Sequence, residues 1–285
     1  MKGTLSDWLK LSRIEHAFMV AVAIIISEAL AAKYSGLPFS PFSMGAIYPV
    51  LGPFLITAAA FMLNDYFGFE TDKSNKRQDR PLVAKKIERK DALRASVFLY
   101  ALGLLLAFYV NIYCFTIALF FVFLSAIYDS FLKMKPLLGN AYIASSMAIS
   151  FIYGNFAVSN DLQDITLLFA AISFLAGMGR ELIITLRDVK GDRKIGARTL
   201  PMILGKRYTL QLSSVFFIAA IILSWVPING KYFTAYAFLI AVNNFLLIWC
   251  IFLLFGKSAD AFKKARDLSL LALMVGLAAF ATLAI

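Results

Sequence analysis

Two segments concentrate carboxylates in a pattern suited to a hard divalent cation. The first, NDYFGFETDKSNKRQDRPL over residues 64–82, sets Asp65 and Asp72 two helical turns apart. A helix continuing past Asn64 would place both on one face. Asn64 and Glu70 add oxygen donors in the same stretch. The second, GRELIITLRDVKGDRKIGARTLP over 179–201, spaces Asp188 and Asp192 at i, i+4 and sets Glu181 two turns before Asp188. Carboxylates mixed with Lys and Arg suit Mg2+, which keeps several waters and bridges to substrate phosphates. With one His and two Cys in the chain, the ligand sets that select zinc are missing. The competing interpretation is that loop acids balance loop bases. Against it, Asp65 directly follows a long apolar run and Glu181 falls inside a predicted helix, where a solvated loop has no need of it.

A third group is cationic. In AIYDSFLKMKPLLGN, residues 126–140, Tyr128, Lys133 and Lys135 could donate to a diphosphate. They could equally be interfacial anchors, with Pro136 starting a helix. Arg13, in SRIEHAF, is open to the same two interpretations, as phosphate ligand or membrane anchor. Arg180, Glu181 and Arg187 are close enough in sequence to pair among themselves, and His16, the only histidine, reads as a helix-end residue.

The elements that must position these groups are hydrophobic. Apolar residues make up 61% of the 285 and charged residues 16%. With a mean hydropathy of +0.77, that composition belongs in a bilayer rather than in a soluble domain. Apolar runs at 14–33, 46–64, 91–111, 113–128, 137–158, 164–184, 209–227, 232–255 and 267–285 predict an all-α integral membrane protein of nine transmembrane helices. The whole chain, 1–285, forms one transmembrane domain around a central cavity. Of the 28 Lys and Arg, 26 fall on alternate sides of these helices together with the N-terminus. The positive-inside rule therefore puts the N-terminus and both acidic segments on the cytoplasmic face of the cell membrane. Topology thus accounts for the +11 net charge, and no nucleic-acid partner is expected. Cys114 and Cys250 lie in apolar runs and read as small buried hydrophobes, and the N-terminal run lacks the pattern of a removable signal.

The motifs resemble those of the UbiA superfamily of membrane-embedded prenyltransferases, over nearly the whole chain. Asn64, Asp65 and Asp72, followed by Asn75, Arg80 and Pro81, match the first acidic motif, with Gly68 where a middle Asp is usual. Arg180, Glu181, Asp188, Gly191, Asp192, Gly196, Thr199 and Pro201 match the second, with Thr185 in place of an Asp. Tyr128, Lys133, Gly139 and Asn140 match the tyrosine-lysine-glycine-asparagine segment, and Arg13 the first-helix arginine, while His16 replaces the common Asn.

The resemblance implies Mg2+ held by Asp65, Asp72, Asp188 and Asp192 with Asn64 and Glu70, and a diphosphate bound by Arg13, Asn64, Arg80, Tyr128, Lys133, Lys135 and Arg180. It implies a donor isoprenyl diphosphate that ionises to an allylic cation, and a lipid-like phosphorylated acceptor drawn from among membrane lipids. Geranylgeranyl diphosphate and geranylgeranylglyceryl phosphate are the favoured pair. An aromatic quinone precursor or a tetrapyrrole is the alternative acceptor. A transporter of an anionic or lipid substrate is the rival from another class. Transporters usually bind at the bilayer midplane, whereas here the polar chemistry gathers at one face.

Overall fold

The computed structural model describes residues 3–74, 76–128, 131–194, 196–227, 233–256 and 259–284. Among these residues the chain is helical throughout: α1 (Leu5–Ser12), α2 (Ile14–Ser35), α3 (Met44–Phe67), α4 (Phe69–Ser74), α5 (Arg89–Val110), α6 (Ile112–Tyr128), a 3-10 turn (Leu132–Met134), α7 (Leu138–Val158), α8 (Asp164–Lys194), α9 (Leu200–Leu223), α10 (Phe233–Leu254) and α11 (Ala259–Ala284). Eight helices are long and apolar enough to cross a bilayer, making this a multi-pass membrane protein. The remaining apolar helix is α6, with 17 residues. At 1.5 Å per residue it falls short of the ~30 Å hydrocarbon core.

Helices α1 and α9 are among the elements that depart from the apolar runs. Helix α1 is an amphipathic helix of about two turns with no long apolar run to announce it. A capping box starts it: the Thr4 side chain accepts from the Asp7 backbone, and the Asp7 carboxylate accepts from the Thr4 N–H at 3.0 Å and its hydroxyl at 2.8 Å. Helix α9 begins nine residues before the run that predicts it, because a helical segment from Leu200 precedes a break at Gly205 (φ 76°, ψ 169°), a conformation open to glycine.

The bundle brings α2 against α3, α7 and α11, pairs α3 with α5, and packs α8 between α7 and α9. Small residues permit the closest approaches. A Cβ on Gly103 would lie 2.8 Å from the Gly52 carbonyl, and one on Gly154 only 2.6 Å from that of Ile24, so α3–α5 and α2–α7 touch backbone to backbone. Hydroxyls donate to carbonyls across helices, Ser96 to Ala59 at 2.9 Å, Ser213 to Gly179 at 2.7 Å, and Ser27 to Phe151. Phe169 stacks on Phe280 at 3.8 Å, with Phe151 edge-on to both. Outward, Phe18, Phe98, Phe108, Phe120 and Phe252 are exposed, as lipid-facing side chains are. Cys114 and Cys250 are both buried, unpaired thiols.

Candidate active site

A cavity of about 840 Å³ opens among α1, α2, α3, α6, α7 and α8. Its wall changes character with depth. At one end it is lined by Arg13, Asn64, Asp72, Arg77, Arg80, Tyr128, Lys133, Arg187 and Asp188; deeper it is lined by Val20, Ile24, Ile56, Phe121, Met147 and Tyr153. Charges gather at the rim because the helices carrying them end there: α3 and α6 run up to it, α2 and α7 start from it, and α8 extends beyond its apolar stretch to Lys194.

The two acidic segments are built differently. Asp65, at the end of α3, is 2% exposed and bound by two guanidiniums: Arg13 Nη2 at 2.8 Å, and Arg80 Nη1 at 3.1 Å to the same oxygen. It is not among the residues on the cavity wall. Asp72 does reach the wall, with Oδ2 at 3.8 Å from Arg80 Nε. Asp65 and Asp72 stand on either side of a join between two helices, and the one Arg80 guanidinium reaches both. Helix α3 stops at Phe67, Gly68 caps it, and α4 begins anew at Phe69. Gly68 itself lines the cavity at the position where the resemblance expects an Asp. Glu70 points away, 72% exposed and 3.7 Å from Arg89.

Burial pushes the Asp72 carboxyl above its ordinary range; the Arg80 charge opposes this and that of Asp65 adds to it. Burial likewise lowers the Arg13 guanidinium, helped by the neighbouring Arg80 charge and opposed by Asp65. Arg13 also carries backbone strain. It sits in the left-handed region (φ 45°, ψ 56°) as the joint between α1 and α2, with its guanidinium 4.5 Å over the Phe61 ring.

On α8, Glu181 and Asp188 both line the cavity, so the two-turn spacing does place them on one face. Asp188 forms a two-pronged pair with its neighbour Arg187, both contacts 2.8 Å, and each side chain is 41% exposed. Arg180 lines the cavity while donating to the Arg266 carbonyl and the Ser269 hydroxyl, each at 2.7 Å. Thr185, which stands where an Asp is usual, accepts from Asn140 Nδ2 at 2.6 Å and donates to the Glu181 carbonyl at 2.8 Å, tying α7 to α8. Asn75 and the side chain of Asp192 lie outside the described residues.

Of the remaining predicted residues, Tyr128 and Lys133 line the cavity, as does His16, edge-on to Phe61 at 5.1 Å. Lys135 does not; its ammonium sits 5.2 Å over Phe131. The structure adds Arg77, which also lines the rim and forms a two-pronged pair with Asp79 at 2.8 and 3.0 Å. That bond, the largest influence, holds the Asp79 carboxyl down at about 2. Ser6, Leu9 and Lys10 of α1 close over the same end. Among the described residues no three His, Cys, Asp or Glu converge as a ready-made metal cage. The wall offers Asn64 on α3, Asp72 on α4 and Asp188 on α8. This suits Mg2+, which is commonly held by one or two carboxylates plus substrate phosphates and waters.

Residues 19–283 match the UbiA prenyltransferase family. A digeranylgeranylglyceryl phosphate synthase of Archaeoglobus fulgidus is 31% identical over 275 residues, covering 95% of this chain and 92% of its own length. A solved structure of a digeranylgeranylglyceryl phosphate synthase aligns with a TM-score of 0.75 and 27% identity, over 99% of this chain and 98% of that one. A UbiA homolog from Archaeoglobus fulgidus, solved with DMAPP and Mg2+ bound, shares the fold with a TM-score of 0.65 at 16% identity, over 96% of this chain and 99% of its own.

Proposed function

The chain belongs to the UbiA prenyltransferase family, and from that membership we propose that it transfers a geranylgeranyl group from geranylgeranyl diphosphate to the 2-hydroxyl of geranylgeranylglyceryl phosphate, with Mg2+ as cofactor. One observation carries this reading: a single cavity joins a rim of arginine, lysine and carboxylate to an apolar depth, the two halves of an isoprenyl diphosphate.

Arg13 and Arg80 are held by the buried Asp65, so their N–H donors are fixed before any substrate arrives. Such preorganised donors stabilise negative charge as it develops on a leaving diphosphate. Lys133, Tyr128 and Asn64 bind the same group from α3, α6 and the segment after it, and Arg180 sets the α8 side. Asn64, Asp72 and Asp188, with Asp192 by its match to the family motif, would hold Mg2+, which would neutralise the phosphate oxygens further. Val20, Ile56, Phe121 and Met147 exclude water from the allylic carbon as its bond to oxygen lengthens, which protects the cation from hydrolysis. Asp65, sealed beneath two arginines, acts on the diphosphate through them. In this reading α6 is the ninth span, and the N-terminus and the rim face the cytoplasm.

Purified protein in detergent, given radiolabelled geranylgeranyl diphosphate and geranylgeranylglyceryl phosphate with and without Mg2+, should form one Mg2+-dependent, doubly prenylated lipid. Product from an aromatic acid or a tetrapyrrole, and none from the glycerol phosphate ether, would overturn the acceptor.

A further inference from the structure

The cavity ends at one depth on four helices. Lining residues run from Arg13 to Ile24 on α2, from Asn64 back to Pro53 on α3, from Tyr128 back to Ile117 on α6, and from Tyr142 on to Tyr153 on α7. Each stretch is about three turns, or ~16 Å along its helix. Just beyond lies a polar layer. Glu28, one turn past Ile24, is fully buried, and neither carboxylate oxygen has a hydrogen-bond partner among the described residues. The Tyr153 hydroxyl is buried without a partner as well, and the Cys114 thiol donates to the Tyr153 carbonyl at 3.7 Å. An ionisable side chain left unpaired inside a membrane bundle is costly and is retained for a reason.

Resting on the prenyl-transfer reading above, we propose that Tyr153 and Ile24, backed by Glu28, form a floor that sets the length of the donor's isoprenyl chain. The ~16 Å includes the rim that takes the diphosphate, so the apolar part left to the tail is shorter and each added isoprene unit presses on the floor. The floor stops a longer chain twice over. The Tyr153 ring and the Ile24 side chain occupy the space, and the groups behind them offer a hydrocarbon tail no favourable contact. A small apolar chamber of about 100 Å³ shares Met19, Val20, Met147 and Ser150 with the main cavity and continues past Ser173 toward α11, and it is the competing exit for a long tail.

The experiment is a competition among C10, C15, C20 and C25 isoprenyl diphosphates, with geranylgeranylglyceryl phosphate as acceptor and product chain length as the readout. Wild type should favour C20 over C25. Tyr153→Ala and, independently on another helix, Ile24→Ala should raise the C25-to-C20 ratio by about ten-fold or more, the discrimination typical of extra methylenes in an apolar pocket. Tyr153→Trp should shift preference toward C15. Glu28→Leu, which removes the charge while keeping a bulky side chain, should raise the C25 share by a smaller factor. Profiles that superimpose on wild type in both alanine variants, or that respond to Ser173→Leu in place of them, overturn the floor alone. A wild type that transfers none of the four donors to this acceptor, to an aromatic acid or to a tetrapyrrole overturns the prenyl-transfer reading and the floor with it.

Discussion

The two acidic segments share a composition and differ in how their charges are held. In residues 64–82 the buried Asp65 binds guanidiniums from positions 52 and 15 residues away in sequence, so the network exists only in the folded bundle. On α8 the half-exposed Asp188 pairs with the next residue, Arg187, a contact available to any helix. A long-range buried network is expensive to break and holds its members still. A local exposed pair costs little to exchange for another partner. The first segment therefore builds the site, and the second is free to engage what enters it.

The sharpest way to break that contrast is Asp65→Ala. It strands Arg13 and leaves Arg80 only Asp72 at 3.8 Å, and should cost about 3–5 kcal/mol of stability, read as a lowered unfolding temperature in detergent, and abolish transfer as well. Asp188→Ala should cut transfer by about 100-fold or more yet change stability by only about 0–1 kcal/mol. Equal destabilisation in the two variants would erase the distinction between them. Lys133→Met, which removes one charged donor from the rim, should lower kcat/KM about 10- to 100-fold, as expected for a charge-assisted hydrogen bond of about 1.5–3 kcal/mol.

Smaller effects sharpen the comparison. Thr185→Val removes the acceptor for Asn140 and should cost about 1 kcal/mol in unfolding measurements, with the Mg2+ concentration dependence of transfer unchanged. The least effect is tied to pH. Bonds from Thr4, then from Lys86 at 3.0 Å, hold Asp7 at about 2, below its ordinary 3.8, and fasten α1 to the chain that follows the first acidic segment. A folded-state value below the unfolded one stabilises above pH 4 and is lost as pH falls toward 2. The unfolding-temperature gap between wild type and Asp7→Asn should close across that window.

Hydropathy alone locates the long helices, because a bilayer demands long apolar runs and the chain supplies them. Helix α1 escapes that signal because it is short and amphipathic; the Thr4–Asp7 capping box was its only local mark. Glu181 and Asp188 share a face as their spacing requires, since α8 continues unbroken to Lys194. For Asp65 and Asp72 the spacing spans a join at Gly68, a glycine inside the motif, and it is Arg80, distant from Asp65 in sequence, that reaches both. Arg77 and Arg187 look like ordinary loop bases in sequence, and their place on the cavity wall is fixed only by tertiary packing. Tyr153, inside an apolar run, carries no local sign that a cavity ends there.

The Asp65 network has a further consequence. One buried carboxylate is shared by two guanidiniums, with Asp72 3.8 Å from one of them, so the rim is a cation-rich lattice. An entering diphosphate completes that lattice, acting as a building part of the protein as much as its reactant. Folding and substrate capture then share one electrostatic account, and inorganic diphosphate alone should raise the unfolding temperature by mass action.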